Sequence, residues 1–416
     1  MTNSLALGSP SPRQPLRILY VHHRSELGGS PASLRHLIQR LDRDRFEPHV
    51  FCPPGPAASA FAEAGATVHT GPVAGFTHIW ASTYRGRRWL LLVRELINLP
   101  RHLLAFRRVL RAHQFALVHI NDSPMIPAAR MARGASLPVI WHLRSALPAH
   151  EGPRRAAFVR RSISRFATAS IAINNDVGRS FDVGSTTIPN PVDLGRFQPG
   201  DPADAKRELG LPPEHVVVAF FGFLYPSKGF HDFIRAAALL KARGVVARYL
   251  IVGGAVRGRA FFETTFGWTL RSLGLATDYE ADAHELVERL GLGGEVEFVP
   301  FTLDTVTHYH ASDIVVSPSR GPELGRPVLE GAACGRPVVA SGSLTGAGII
   351  LPEETGALVP QRSPDALGAA LHELALSPDL RARFGERGRR HAEAEFDADI
   401  SAQRVMQIYT AVLEAQ

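Results

Sequence analysis

The chain has 416 residues, 45% hydrophobic and 20% charged, with 46 basic and 39 acidic side chains for a formal charge of +7. Those figures provide for two or three domains with sizeable cores and exclude long-range disorder. Two cysteines, Cys52 and Cys334, exclude a disulfide scaffold or a four-cysteine zinc site, and no apolar run reaches the roughly 18 residues of a membrane span.

The first 15 residues are polar and proline-rich, with no apolar core of a secretory signal. A reducing, cytoplasmic setting is the expectation. Residues 16–22 then read as a buried strand, Gly28-Gly29-Ser30-Pro31 as a glycine loop, and Leu34, Leu37, Ile38 and Leu41 as one face of a helix. Asp42-Arg43-Asp44 spells D-x-D but falls between helix and next strand, where a solvated turn is expected. Further strands are predicted at Ala116–Ile120, Pro138–Trp141 and Ser170–Ile173. Ile188-Pro189-Asn190-Pro191-Val192-Asp193 is a breaker-rich linker. Strands resume at Val216–Phe221, Tyr249–Val252, Val296–Phe298, Ile314–Val316 and Val338–Ala340, and Asp397–Glu414 closes the chain as an amphipathic helix. Strands alternating with helices imply parallel sheets of βαβ units, whose ligands bind at the carboxyl ends of the strands.

The loops after the strands therefore carry the candidate site. In the second half, Ser317–Val339 follows a strand; Pro327 fits the first turn of a helix and Gly335 its end. The helix start near Leu324, Gly325 and Arg326 aims free backbone amides into a cleft, which suits an anion. Glu323 and Glu330 flank it, and two carboxylates there suit the hydroxyls of a sugar phosphate; the plain alternative is a capping Glu323 and a surface Glu330. Lys228, one of only three lysines with Lys206 and Lys241, lies in the loop after Val216–Phe221 and can meet a phosphate as a point charge, or be an ordinary exposed lysine. Gly28 and Gly29 allow close backbone approach, or simply make a turn, and do not spell the G-x-G-x-x-G dinucleotide fingerprint.

Taken together, the glycine pair, the IPNPVD linker followed by Phe197, Lys228-Gly229, Tyr309–Asp313 (YHASD), Ser317-Pro318-Ser319, LGRPVLEGAACGRPVVAS and Thr355–Val359 resemble the retaining glycosyltransferases of family 4 along nearly the whole chain. The resemblance implies an α/β, GT-B architecture: two Rossmann-like domains facing across a cleft, with residues 1–190 binding the acceptor, 191–396 binding the nucleotide sugar and 397–416 crossing back onto the first. It implies that Lys228 with Gly28, Gly29, Leu324, Gly325 and Arg326 meets the diphosphate, that Glu330 holds the ribose and that Glu323 holds the donor sugar. The chain departs from the family in three places. Glu323 and Glu330 are seven positions apart rather than eight, Phe223 replaces an arginine, and Thr345-Gly346-Ala347-Gly348 replaces the G-G-x-x-E acid.

In the first half, Asn121 occupies the slot where the family often has a histidine. His119, Asn121, His142 and Arg144 are acceptor-side candidates, with Arg144 pointing into the cleft mouth if its strand stops at His142. The implied reaction moves a sugar from a UDP or GDP sugar to a hydroxyl on a sugar, lipid-linked or small-molecule acceptor, in glycan, polysaccharide or glycolipid synthesis. Lys228, Glu323, Asn121 and His142 are its catalytic candidates, and neither metal nor cofactor is expected. Attack from the face the diphosphate leaves, with that diphosphate accepting the proton, accounts for retention without a protein nucleophile. Tyr84–His113 holds eight arginines against Glu95 alone, interleaved with leucines and Trp89. Either it docks on an anionic membrane surface at the inner face, helped by Arg154, Arg155, Arg160, Arg161 and Arg165, or its helices simply bury their apolar faces. An NAD(P) oxidoreductase is disfavoured by the missing fingerprint, and a nucleic-acid binder by the absence of clustered lysines or an aromatic binding strand. A sugar-nucleotide epimerase or hydrolase, or a degenerate sugar-binding relative, remains the alternative on the same fold.

Overall fold

A computed structural model describes residues 14–74, 89–122, 125–147, 152–255, 257–302, 304–321, 325–342 and 348–415. The first lobe contains β1 (Leu16–Val21), α1 (Gly29–Gln39), β2 (Phe46–Cys52), α2 (Pro56–Glu63), β3 (Thr67–Thr70) and α3 (Trp89–Ala112). It continues through β4 (Leu117–Asn121), α4 (Ile126–Gly134), β5 (Val139–Leu143), α5 (Pro153–Phe166), β6 (Ala169–Ala172), α6 (Asn175–Phe181) and β7 (Thr186–Thr187). The second lobe opens with α7 (Pro202–Glu208), β8 (Val216–Phe221), α8 (Phe230–Ala242), β9 (Ala247–Val252), α9 (Arg259–Glu263), α10 (Thr265–Ser272) and α11 (Tyr279–Arg289). Then follow β10 (Val296–Val299), α12 (Val306–Ala311), β11 (Ile314–Ser317), α13 (Arg326–Ala333), β12 (Val338–Ser341), β13 (Gly356–Val359), α14 (Pro364–Leu376), α15 (Pro378–Glu395) and α16 (Ala398–Glu414).

The strands form two sheets, ordered β3-β2-β1-β4-β5-β6-β7 and β10-β9-β8-β11-β12-β13. Their pairings are parallel. Helices cover both faces, so strand residues on either face are apolar: Ile18 and Tyr20 pack on the α1 and α16 side, Leu19 and Val21 on the other. In each sheet the chain winds outward, then returns beside its first strand. The switch points fall between β1 and β4 and between β8 and β11, where crevices open at the strand ends.

β2, β3 and β7 lie outside the strands the sequence predicts, and β13 falls within the Thr355–Val359 motif. In β2, Pro48 and His49 interrupt the apolar run, and β7 has two residues. Asp42-Arg43-Asp44 is a turn whose Arg43 donates to the carbonyls of Ile38 and Ala64, away from the strand ends.

The last helix belongs physically to the first lobe. Val405, Tyr409 and Val412 of α16 are buried against Ile18, Tyr20 and Leu34. The Tyr409 hydroxyl donates to the Tyr20 oxygen (3.1 Å) and lies 2.8 Å from His119 Nδ1, which therefore donates to it. Tyr409→Ala removes a buried ring and both bonds. It should lower stability by about 3–5 kcal/mol in a urea titration, the usual cost of emptying an aromatic core position.

The same lobe buries several imidazoles. Burial draws His22 and His119 down to about 3, and His69, stacked on His49 at 5.3 Å, down to about 4. A histidine held neutral when folded takes up a proton when unfolded, so stability is full above pH 6.5 and is lost as pH falls toward 4. The melting temperature should drop between pH 7 and pH 5, above the range where carboxylates titrate. A flat profile there would contradict these assignments.

Candidate active site

In the second lobe, β8 runs into a turn at Pro226–Lys228 that ends on Gly229. Gly229 has φ +78°, and a Cβ there would run into the Pro318 carbonyl oxygen, so the lysine turn can sit on the loop after β11 only with glycine. The contact is stapled: Arg320 N–H donates to the Ser227 carbonyl at 2.8 Å, and the Arg320 guanidinium grips Asp232 with bonds of 3.0 and 2.7 Å. Arg320 is thereby neutralised. Lys228 is exposed, and no carboxylate among the described residues pairs with it.

α13 starts after Gly325 with no side-chain cap and no acid in its first turn. Its first residue, Arg326, donates through Nε to Glu330 Oε1 at 2.9 Å and through Nη1 to the Pro191 carbonyl at 3.3 Å. The other oxygen of Glu330 accepts from the Tyr309 hydroxyl at 2.8 Å. Tyr309 is fully buried and stacks on Phe221 at 3.8 Å, and burial together with Glu330 pushes its phenol well above the usual range. Glu330 is thus a held group, with its orientation fixed from two sides. Tyr309 lies in the YHASD motif, 21 residues from Glu330 in sequence, where residue type alone assigns it no role. Glu323, Leu324 and the Thr345–Ala347 stretch lie outside the described residues.

Across the cleft, α1 begins at Gly29 behind Gly28, also without a side-chain cap or a first-turn acid. A Cβ on Gly29 would rest 3.8 Å from Arg326 Cδ. The start of α1 therefore lies beside the Arg326 side chain at the start of α13. Asn174 caps α6, Asp201 caps α7 and Ser363 caps α14, whereas α2, α4, α5 and α8 start uncapped like α1 and α13.

The first-lobe candidates form one cluster. Register places Asn121 opposite His142, and His22 follows β1 beside them. Asn121 Nδ2 lies 3.1 Å from His22 Nδ1 and 3.2 Å from Ser30 Oγ, while its Oδ1 accepts from Arg144 Nε at 2.5 Å. Arg144 also reaches Asn190 Oδ1 at 2.7 Å and His142 Nδ1 at 3.4 Å. Arg144 was expected in the cleft mouth only if its strand stopped at His142; β5 runs on to Leu143, and Arg144 is 6% exposed, folded onto its neighbours. Burial draws its guanidinium down to about 10, against the opposing pull of Asp122. His119 lies one layer deeper, on Tyr409. His22 and Asn190 are members the sequence reading did not single out as site residues.

Three comparisons bear on this arrangement. Residues 28–182 match the glycosyl transferase 4-like domain, and residues 202–391 match the glycosyl transferases group 1 family. D-inositol 3-phosphate glycosyltransferase 2 of Catenulispora acidiphila is 34% identical over 238 residues, 56% of this chain and 52% of that protein. The D-inositol 3-phosphate glycosyltransferase of Rhodococcus jostii is 34% identical over 224 residues, 52% of this chain and 45% of that one. The chain spans about half the length of these curated relatives. The crystal structure of Anabaena HepE in complex with UDP-glucose superposes with TM-score 0.76 at 21% identity, covering 95% of this chain and all of that one. Sucrose-phosphate synthase of Thermosynechococcus elongatus gives 0.74 at 21% over 96% of this chain and all of that one. At such identities these two establish the fold. With one domain match on each side of the linker and a GT-B fold over nearly its whole length, the chain belongs to the family 4-type, group 1 glycosyltransferases.

Proposed function

We propose that the cleft transfers a sugar from a nucleoside-diphosphate sugar to a hydroxyl acceptor with retention of anomeric configuration. The observation that carries this is the meeting of the α1 and α13 starts beside Arg326, with Lys228, which pairs with no carboxylate among the described residues, on the turn before α8. Each helix start presents free N–H groups and a partial positive charge, so the place where they meet favours an anion. A diphosphate leaving group brings that anion. As the bond from the anomeric carbon to the β-phosphate oxygen breaks, charge grows on that oxygen, and Lys228 and the helix amides meet it. The acceptor oxygen bonds to the same face of the anomeric carbon, and its proton passes to the departing phosphate. This reading asks for no metal ion. The names of the inositol phosphate glycosyltransferases and the UDP-glucose bound by HepE support a hydroxyl-bearing acceptor such as a cyclitol phosphate and a UDP-type donor. Lys228→Ala should lower transfer by roughly 10²-fold or more, the usual loss when a preorganised donor to developing charge is removed. The measurement is nucleotide release with and without added acceptor. Transfer within about threefold of wild type would sink the leaving-group account, and release independent of any acceptor would favour a hydrolase.

We further propose that α3 brings the first lobe to an anionic membrane surface carrying the acceptor. Glu95, His102 and Phe106 of α3 are buried. Leu90, Ile97 and Leu104 recur every seven residues on the outer face, and Ile97 is 63% exposed. Arg94, Arg101 and Arg108 run alongside at the same spacing, with Arg107 and Arg111 beyond. α5 adds the exposed Phe158 with Arg154, Arg161 and Arg165. Residues 84–88 of the basic stretch are outside the described residues, and among those described no helix is long and apolar enough to cross a membrane. An apolar stripe flanked by arginines suits the boundary between acyl chains and anionic head groups. The protein should float with phosphatidylglycerol-containing vesicles and much less with pure phosphatidylcholine, and Arg101→Glu with Arg108→Glu should abolish the difference. Equal flotation with both lipids would end the electrostatic part of the proposal.

A further inference from the structure

We propose that Asn190 is a positioning residue that sets the two lobes at the separation where the acceptor-side cluster and the α13 start face each other. The inference deepens the transfer reading and rests on it for its functional meaning, though not for its geometry. Asn190 lies in the linker, and its one side-chain carbonyl oxygen accepts from Arg144 Nη1 at 2.7 Å and from Ser33 Oγ of α1 at 3.1 Å, a hydroxyl proton it shares with the Gly29 carbonyl at the same distance. The following carbonyl, Pro191, accepts from Arg326 of α13. Val192 N–H donates to the Phe396 carbonyl at 2.8 Å, just before α16, and Asp193 lies 3.8 Å from Arg40 at the end of α1. Four consecutive linker residues thus pin four places: the end of β5 with α1, the start of α13, the return to α16, and the end of α1.

A linker tied in this way is not a free hinge. The tie through Asn190 is the most demanding, because Arg144 is a buried cation. Its guanidinium is divided among Asn121, Asn190 and His142, and removing the Asn190 oxygen leaves a buried charged donor without its acceptor. Arg144 would then have to move, and Asn121, whose amide it orients, would move with it. Ser33 would also lose its hold on the linker. α1 would then be free to shift against Arg326, which touches its first residue. Asn190→Asp keeps both acceptor positions and adds a charge opposite to that of Arg144.

The test reads the distance between lobes without requiring any transfer. Spin labels are placed at Ser59→Cys on α2 and Ala281→Cys on α11, both exposed, while the native Cys52 and Cys334 are buried. Pulsed dipolar spectroscopy is recorded with and without UDP. In Asn190→Ala the inter-lobe distance should shift and its distribution broaden, and added UDP should not restore it. Asn190→Asp should keep the wild-type distance. A wild-type distance in Asn190→Ala, or an equal displacement in Asn190→Asp, would overturn the proposal. Should Asn190→Ala fail to fold, Ser33→Ala removes one of the two bonds without orphaning Arg144. It should broaden the distribution, and an unchanged distribution there would overturn the proposal as well. A chain that transfers no sugar leaves this reading intact, so the two proposals fail separately.

Discussion

Positive helix starts brought near one cationic side chain add to a positive field. The N-terminus of each carries roughly half a positive charge. Arg326 stands between α1 and α13, and Lys228 adds a further cation on the same lobe. Within the chain, the described relief is Glu330, which takes the Nε of Arg326 and is itself held by Tyr309. Both helices start on bare glycine positions with no acid in the first turn, so the relief is not completed by the helices themselves. In the proposed transfer, this positive field at the junction of the lobes is what the diphosphate meets. Both crevices supply it in the same way, each at the point where the sheet's winding reverses, and the tethered linker keeps the two points opposed.

The first lobe contributes a different chemistry: a buried polar cluster of neutral imidazoles around the Arg144 cation. Asn121 donates to Nδ1 of His22, and Arg144 donates to Nδ1 of His142, so both rings carry their proton on Nε2. His119 is the reverse, donating from Nδ1 to Tyr409. His22 and His119, drawn down to about 3, have little affinity for a further proton at neutral pH. Burial and the neighbouring Arg144 keep His142 well below its ordinary value too. An imidazole in this state is a hydrogen-bond donor to a hydroxyl oxygen and a weak general base. That bears on the reaction. If the acceptor's proton cannot go to these rings, the departing phosphate oxygen, rich in charge at that moment, is the stronger base in the cleft.

Much of the architecture was legible because periodicity is local. The alternation of apolar runs with helical stretches gave the parallel βαβ units, and the breaker-rich 188–193 stretch marked the junction. Strand order was not legible, since β4 returns beside β1 through contacts a hundred residues apart. The site divides along the same line. Lys228, Gly28, Gly29 and Arg326 announce themselves by residue type at strand ends. Tyr309 and Asn190 do not, because a tyrosine in a short helix and an asparagine between two prolines look like packing and punctuation until the groups facing them are known. Arg144 misled for a related reason. One further residue of strand carried it under the cluster, where its charge is consumed by neighbours.

The substitution of Phe223 for the family's arginine has a physical sense in the second lobe. Phe223 stacks on Phe301 with ring centroids 5.4 Å apart and planes within 9°, and Tyr225 meets its edge at 6.4 Å. Phe301 is half exposed. An arginine at 223 would forfeit that stack and bring a second cation close to Lys228, raising a repulsion already present between the helix starts and Arg326. With phenylalanine there, the lobe separates its functions: apolar ring faces gather at the ends of β8 and β10, and positive charge gathers at Lys228 and the α13 start. In the proposed transfer the leaving group's charge falls to one ammonium and a set of oriented N–H groups, whose positions are fixed by Gly229 on Pro318 and by Arg320 on Asp232. Holding those few donors rigidly counts for more than adding another mobile cation, since a donor already in place when charge develops needs no reorganisation to meet it.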